Sequence, residues 1–131
     1  MARTLTQSSN GDLRAPDATE AVVNIKAAML SVGTAESQTV ASGVLTVTQS
    51  HVIALPESGT TDTVDSIVCT RQKAGDLLLV RSPATNTITF DNSATMLLGA
   101  GTRAVAPGGA ILFVAHSATV WHEVAFLTAA S

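Results

Sequence analysis

Short apolar runs alternate with turn residues along the chain from residue 43 onward. One run, Leu77–Val80, lies between Gly75-Asp76 and Arg81-Ser82-Pro83. Four consecutive apolar residues between turn signals predict a short strand that is buried on both faces. Such a strand lies centrally in a sheet or barrel, so we expect the segments around it to be strands as well.

The neighbouring segments have the composition and spacing of further strands. Turn signals recur every ~8–12 residues, which is typical of a sandwich or barrel. The predicted strands are 44–48, 51–55, 64–70, 77–80, 87–90, 96–98, 110–115 and 120–126, and residues 103–105 are a candidate for one more. We therefore predict a mainly β fold, an antiparallel sandwich or barrel of about eight short strands, preceded by an N-terminal arm and one short helix.

The N-terminal region has a different pattern. Residues 1–17 are small and polar and cannot bury enough apolar area to fold alone, so they are predicted to be either a disordered tail, as in a free monomer, or an arm that a neighbour orders. Residues 17–30 predict a helix, with Asp17 as its cap, Glu20 completing a capping box and Gly33 ending it. The predicted apolar stripe of this helix is Ala18, Ala21, Val22, Ile25, Ala28 and Met29.

One further point in this region stays open at the level of sequence. Residues 21–25 contain Val-Val-Asn-Ile, which also favours a strand. Residues 35–42 are polar and are predicted to be a linker. The domain prediction is therefore an arm, helix and linker over residues 1–42, and a β-sandwich or barrel domain over residues 43–131.

The chain is unusually poor in charge. Charged residues make up 13% and hydrophobic residues 46% of the 131 residues, and the net charge is −3. So few charges favour a surface that is partly covered by neighbouring copies. The basic residues are scattered between Arg3 and Arg103, so no cluster exists that could displace counterions from a nucleic acid.

The cysteine content and the lengths of the apolar runs exclude two classes of protein, secreted disulfide scaffolds and proteins with a membrane-spanning helix. Cys69 is the single cysteine, which excludes an intramolecular disulfide and favours folding inside the cell. No window reaches eighteen continuous apolar residues, and the first ten residues lack the apolar core of a signal peptide. We therefore expect no membrane association.

Candidate chemistry is sparse. If the last hairpin has a two- or four-residue loop, residue 115 pairs with 120, and His116 and His122 lie on opposite faces, where they cannot share a metal. A three-residue loop with a bulge would reverse this. The glycine-rich segments precede predicted strands and lack the Lys-Ser/Thr of a phosphate loop. We therefore predict no enzyme activity, no cofactor and no metal.

The order of motifs in residues 43–126 resembles a β-domain found in virion proteins of tailed bacteriophages, in capsid decorations and in fibres. A Gly-Asp-apolar strand at Gly75–Val80 is followed by Thr87-Ile88-Thr89 and by a short apolar strand ending in glycine, Met96–Gly99. The chain then continues with an apolar strand at Ile111–Val114 and Trp-His-Glu-Val at Trp121–Val124.

The resemblance implies a non-enzymatic virion protein that is commonly trimeric. The expected function is capsid decoration (cement), with the homotrimer bound to the major capsid protein on the capsid exterior after synthesis in the host cytoplasm. The alternative is a head or tail fibre module that adsorbs to a host surface. Candidate interface residues are Leu5, Leu13, Val22, Ile25, Met29 and Trp121, although Trp121 could instead close the end of the core.

Overall fold

The computed structural model describes residues 6–7, 13–14 and 32–127. The chain divides into two compact units, residues 1–31 and 32–131. In the first unit, β1 (Thr6–Gln7) pairs antiparallel with β2 (Leu13–Arg14). The predicted helix over residues 17–30, and the competing strand over 21–25, lie outside the described residues.

The second unit is built from short strands, and its described residues contain no helix. The strands are β3 (Glu36–Thr39), β4 (Val44–Thr46), β5 (His51–Leu55), β6 (Thr61–Val64), β7 (Ser66–Val68), β8 (Leu77–Arg81), β9 (Thr87–Asp91), β10 (Met96–Leu97), β11 (Thr102–Val105), β12 (Ala110–Ala115) and β13 (Trp121–Leu127). The mainly β prediction is therefore confirmed.

The strands form three sheets in this unit. The largest has six strands in the order β10-β13-β12-β8-β5-β3, the second has the order β11-β9-β6, and β4 pairs with β7 in the third. After β3 and again after β5, the chain leaves the six-stranded sheet and forms strands of the smaller sheets. It then returns to the six-stranded sheet, where β5 pairs parallel with β3, and β8 pairs parallel with β5. The pairs β4–β7 and β6–β9 are parallel as well.

This stacking is solenoid-like, so the predicted antiparallel sandwich or barrel is wrong. Turn residues mark where a strand ends, but they do not show whether the chain turns back beside that strand or crosses to another sheet. Only the last part of the unit is mainly antiparallel, where β12 pairs with both β8 and β13, and β11 pairs with β9.

β8 lies at the centre of the six-stranded sheet, between β12 and β5, as the apolar run predicted. Leu78 and Val80 are each 1% exposed. The prediction that both faces are buried is wrong, because Leu77 on the opposite face is 47% exposed. No second layer of the described chain covers that side of the strand.

The inner face of the sheet packs into one apolar core. Phe90, Phe113 and Trp121 form its aromatic centre, with ring centroids 5.7 Å apart for Phe90–Phe113 and 6.5 Å apart for Phe113–Trp121. Tilted and edge-on contacts at these distances are favourable for aromatic rings. The aliphatic core residues come from all three sheets and include Leu45, Val64, Leu78, Ile88 and Ile111.

The predicted linker over residues 35–42 instead contains β3. The Glu36 carboxylate explains how this polar segment is held: Oε1 accepts hydrogen bonds from the backbone N–H of Thr48 at 2.7 Å and of Gln49 at 3.0 Å. Oε2 accepts from Thr48 Oγ1 at 2.7 Å and from Gln38 Nε2 at 3.0 Å. Burial raises the pKa of Glu36, but these hydrogen bonds lower it more, so that the pKa lies below the usual 4.5.

The turn between β3 and β4 depends on backbone geometry. Ser42 and Gly43 both have positive φ, 50° and 79°, as in a type I′ turn, and Ala41 and Val44 bond to each other across it. The Gly43 carbonyl then accepts from the N–H groups of Asp65 at 2.8 Å and Ser66 at 3.2 Å in the next coil. This turn therefore links two successive coils of the stack.

Candidate interaction surface

The outward-facing side of the six-stranded sheet, called the outer face below, carries three rows of side chains. The rows follow from the strand register. They are Leu77–Val114–His122–Leu97, then His51–Leu79–Leu112–Ala125, then Ile53–Arg81–Ala110–Leu127. Arg81 is the only residue of these rows with a charged Asp, Glu, Lys or Arg side chain.

Much of this apolar surface is open to solvent. Leu77, Leu97 and Leu127 are 47%, 42% and 55% exposed. A shallow groove of about 220 Å³ runs along the centre, and its walls are Leu79, Ala110, Leu112, Ala125, Phe126 and Leu127. Contiguous exposed apolar surface of this kind marks interaction sites more often than isolated exposed apolar residues do.

The hairpin of β12 and β13 sets which residues reach the outer face. Ala115 pairs with Trp121 and Val114 with His122, so the loop has five residues, 116–120. A bulge between Leu112 and Phe113 then shifts the register, leaving Val124 as the extra residue on β13. Phe113 pairs with Glu123, and Leu112 pairs with Ala125.

This register corrects the face assignment made from the sequence. An odd loop length reverses the alternation expected for two or four residues, so Trp121 lies on the core face and His122 on the outer face. The two histidines are therefore neighbours and not on opposite faces. The His116 and His122 rings are stacked, with centroids 4.5 Å apart and planes 5° from parallel.

The loop that carries His116 is tied to the preceding turn. Gln72 is 6% exposed, and its Nε2 donates to the carbonyls of Ser117 at 2.7 Å and Val120 at 3.3 Å. The N–H of His116 also donates to the Val120 carbonyl, at 2.8 Å. These bonds hold the loop in the conformation that places the two imidazoles together.

An ion pair fixes the end of the same sheet. Arg103 Nε donates to Glu123 Oε1 at 2.8 Å, and Glu123 Oε2 accepts from the N–H of Gly99, also at 2.8 Å. The Arg103 guanidinium carbon lies 5.0 Å from the centre of the Phe126 ring. Both carboxylate oxygens of Glu123 are thus used to join β13 to the segment around β10 and β11.

The predicted interface residues are placed as follows. Trp121 is 2% exposed, and its indole Nε1 is buried without a hydrogen-bond partner. Its side chain closes the core beside Phe113, and little of it remains available to a partner. The backbone of Leu13 lies in β2. Leu5, Val22, Ile25 and Met29 lie outside the described residues, so their interface role stays a prediction.

Sequence reasoning missed the outer face. A usable signal was present in β12, where both alternating sets of residues are apolar: Ile111 and Phe113 on one side, Leu112 and Val114 on the other. Such a strand has two faces to cover. The low content of charged residues predicted that neighbouring copies cover part of the surface, but it did not identify this face.

The described part of the chain contains no group of three or more His, Cys, Asp or Glu side chains arranged to hold a metal. Among the same residues, no helix has the length and apolarity needed to cross a membrane. Comparison with known proteins gave no matching family model, no matching curated sequence and no matching solved structure. The site is therefore defined by its geometry alone, as an apolar sheet face with a histidine pair at one end.

Proposed function

We propose that this protein is a structural virion component of a tailed bacteriophage, a capsid decoration (cement) protein that acts as a homotrimer. The observation that carries the proposal is the outer face, a broad apolar surface that the described chain leaves uncovered. The ordered motifs that resemble virion β-domains supply the biological setting, and the low content of charged residues supports an assembly role.

A second and third copy of the chain are the occupants that fit the outer face. A partner surface must be apolar and nearly free of charge, because any unpaired charge placed on Leu79 or Leu112 would lose its hydration. The same face of another copy meets this requirement. Three copies with their outer faces turned toward a common threefold axis would cover all three faces in a closed assembly.

The trimer would be the unit that binds the capsid. The exposed side of each subunit away from the axis would remain free for the major capsid protein, and the first unit of the chain, residues 1–31, is proposed to add contacts on the capsid exterior. An extended arm can gain affinity by laying a strand or a segment in a groove of its neighbour. No catalytic step is part of this proposal.

The first test is the native mass of the protein in solution, measured by light scattering or native mass spectrometry. We expect about three times the chain mass of 13.3 kDa. The double variant Leu77→Ser, Leu127→Ser should shift the mass toward that of one chain, because it places two hydroxyls in the apolar contact. Val68→Ser is the matched control, since Val68 is 44% exposed but lies on β7, in another sheet.

A wild-type protein that stays a single chain at micromolar concentrations would contradict the trimer. A trimeric wild type whose double variant keeps the same mass would instead contradict the outer face as the contact, and would place the interface on another surface. The same two variants then serve as reagents for the virion test.

The second test separates the capsid role from the fibre role. Capsids assembled without the protein should lose resistance to heat or osmotic shock and regain it when the wild-type protein is added. Labelling on intact particles should place it on the capsid exterior. Equal robustness of capsids with and without it, together with binding of the purified protein to host cells, would instead favour the fibre alternative.

A further inference from the structure

All three histidines of the chain lie on the outer face or directly beside it. His51 and His122 belong to two of its rows, and the exposed His116 stacks on His122, with ring centroids 4.5 Å apart. Imidazole is the side chain whose ordinary titration changes its charge between about pH 5 and 8. The surface proposed as the trimer contact therefore carries, or adjoins, every imidazole of the chain.

The hydrogen bonding of His51 fits a neutral ring. Its Nδ1 lies 2.9 Å from the carbonyl oxygen of Gly33, and because a carbonyl can only accept, Nδ1 carries the proton. In the neutral ring Nε2 is then the unprotonated nitrogen, and it is buried with no hydrogen-bond partner among the described residues. A second proton on this ring would place an N–H without an acceptor in an apolar row, beside Leu79.

The surroundings of His122 are also suited to a neutral ring. Its Nε2 is buried and unpaired, and its neighbours in the row are Val114 on β12 and Leu97 on β10. Neither side chain can accept a hydrogen bond. His116, stacked on the flat face of the ring, takes up the same charge in acid, and like charges at this distance repel each other. A proton on His122 therefore adds an unbalanced positive charge to an apolar row.

The charged groups around His51 do not offset a positive charge on its ring. Arg81, two residues beyond Leu79 on β8, is the one charged side chain in the three rows, and it is a cation. On the other side of β5, Glu36 pairs with Val52, whose side chain lies on the core face, and the Glu36 carboxylate is bonded to the segment after β4.

The carboxylates near His122 are engaged elsewhere. Glu123, the next residue on β13, forms the ion pair with Arg103. Asp76, which precedes β8, accepts a hydrogen bond from the N–H of Lys73 at 2.8 Å, and the Lys73 side chain adds a cation to the same turn. Strand β10 and the loop 116–120 contribute no charged side chain other than His116 in acid.

We propose that protonation of His51 and His122 releases the trimer, so that the assembly formed at neutral pH separates into folded single chains in mildly acidic solution. This inference rests on the proposed function, because it assigns a control to the same contact. Both rings are only partly buried in the single chain, and a second copy over the rows would remove the remaining water from them. For each histidine that must be neutral in the contact, association weakens up to about tenfold per pH unit below its titration range.

The test is the native mass of the full chain by light scattering, at one micromolar concentration and one ionic strength, from about pH 7.5 to about pH 5. We expect about three times 13.3 kDa at neutral pH and the mass of one chain at the acidic end. The trimer mass should return when the sample is neutralised. Circular dichroism should stay constant throughout, because the separated chains keep their fold.

Two substitutions remove the titratable rings from the rows. His51→Asn keeps an N–H donor for the Gly33 carbonyl, and His122→Phe keeps a flat ring among apolar neighbours. The double variant should stay trimeric at about pH 5, and each single variant should shift the pH of separation downward by a smaller amount. His116→Asn is the matched control, because it removes the one histidine outside the rows, and it should separate in acid as the wild type does.

The outcomes distinguish this inference from the proposed function. A single chain at neutral pH contradicts both. A wild type that is trimeric at neutral pH and keeps that mass in acid leaves the trimer standing and overturns its release. Acid separation that both single variants leave unchanged, or that His116→Asn abolishes, overturns the role of His51 and His122, and so does loss of the fold at the pH of separation. The single variants decide the question even if the double variant does not assemble.

Discussion

The two faces of the six-stranded sheet are built from alternate residues of the same strands, yet their environments differ. On β12, Phe113 is fully buried against two other aromatic rings, while its neighbour Leu112 lines an open groove. Both side chains are large and apolar. The comparison shows that the inner face accounts for the stability of the fold, whereas the outer face is apolar without contributing to the core of the single chain.

The strongest test of this contrast is Phe113→Ala against Leu112→Ala. Phe113→Ala should lower the free energy of unfolding by about 3–5 kcal/mol, because it removes a buried ring and leaves a cavity. In the Leu77→Ser, Leu127→Ser background, where other copies are not expected to cover the outer face, Leu112→Ala should cost less than about 1 kcal/mol, since that side chain is half-buried at the surface. Urea denaturation followed by Trp121 fluorescence measures both, and similar losses for the two variants would show that the outer face is also covered.

A second test concerns the turn between β3 and β4, which links two successive coils of the stack. Gly43→Ala should destabilise by about 1–2 kcal/mol, because alanine is strained at positive φ and the exposed Asp65 carboxylate must rotate away from the added Cβ. Gly59→Ala is the matched control: its φ is +68° but the added Cβ meets nothing, so about 1 kcal/mol is expected. Equal thermal shifts would mean that the Asp65 contact has no effect.

A third test addresses β3, the polar edge strand of the six-stranded sheet, which is held by the hydrogen bonds of Glu36 and not by apolar packing. Glu36→Gln should cost about 1–2 kcal/mol, because the amide nitrogen cannot accept from Thr48 Oγ1 or Gln38. The folded-state pKa of Glu36 is lowered, so its stabilisation is present above the unfolded-state pKa and is lost as pH falls through the folded-state pKa.

Urea midpoints measured from neutral to acidic pH check this sign. The wild type should lose stability relative to Glu36→Gln as the carboxylate is protonated, so the two curves should converge in acid. Glu57→Gln is a suitable control, because Glu57 accepts a single longer bond, 3.3 Å from the N–H of Ser42. A constant difference between wild type and Glu36→Gln at all pH values would contradict the role given to the carboxylate.

The smallest effect on the single chain is expected at the outer face itself. Leu77→Ser should change the stability of the unassembled chain by no more than about 0.5 kcal/mol, as for most exposed positions. In the assembled wild type, however, the unfolding midpoint should rise with protein concentration, and in the double variant Leu77→Ser, Leu127→Ser it should not. Concentration-independent melting of the wild type would argue against a covered outer face.

The sequence predicted where most strands lie but not how they pair. β5 and β12 were predicted with their observed bounds, because apolar runs between turn residues are local signals. The parallel stacking of β3, β5 and β8 was missed, because pairing direction depends on contacts between distant segments. β3 was missed since its residues are polar and its stability comes from the Glu36 hydrogen bonds to the next segment.

The candidate site was harder to predict than the fold. Counting apolar residues does not identify the outer face. Leu77 and Leu78 are the same residue type, and they differ only in whether other parts of the chain cover them. The histidine pair depended on one unknown, the loop length after Ala115. A loop of two or four residues predicts that His122 lies on the core face, which is wrong. A loop with an odd number of residues predicts the observed outer face.

The five-residue loop has an evolutionary consequence. Deleting one residue between Ala115 and Trp121 would exchange the positions of Trp121 and His122, sending an imidazole into the aromatic centre and an indole into solvent. Such a deletion is tolerable only if a compensating insertion or deletion follows farther along β13. Length changes in this hairpin should therefore occur in pairs among descendants of this gene, or not at all.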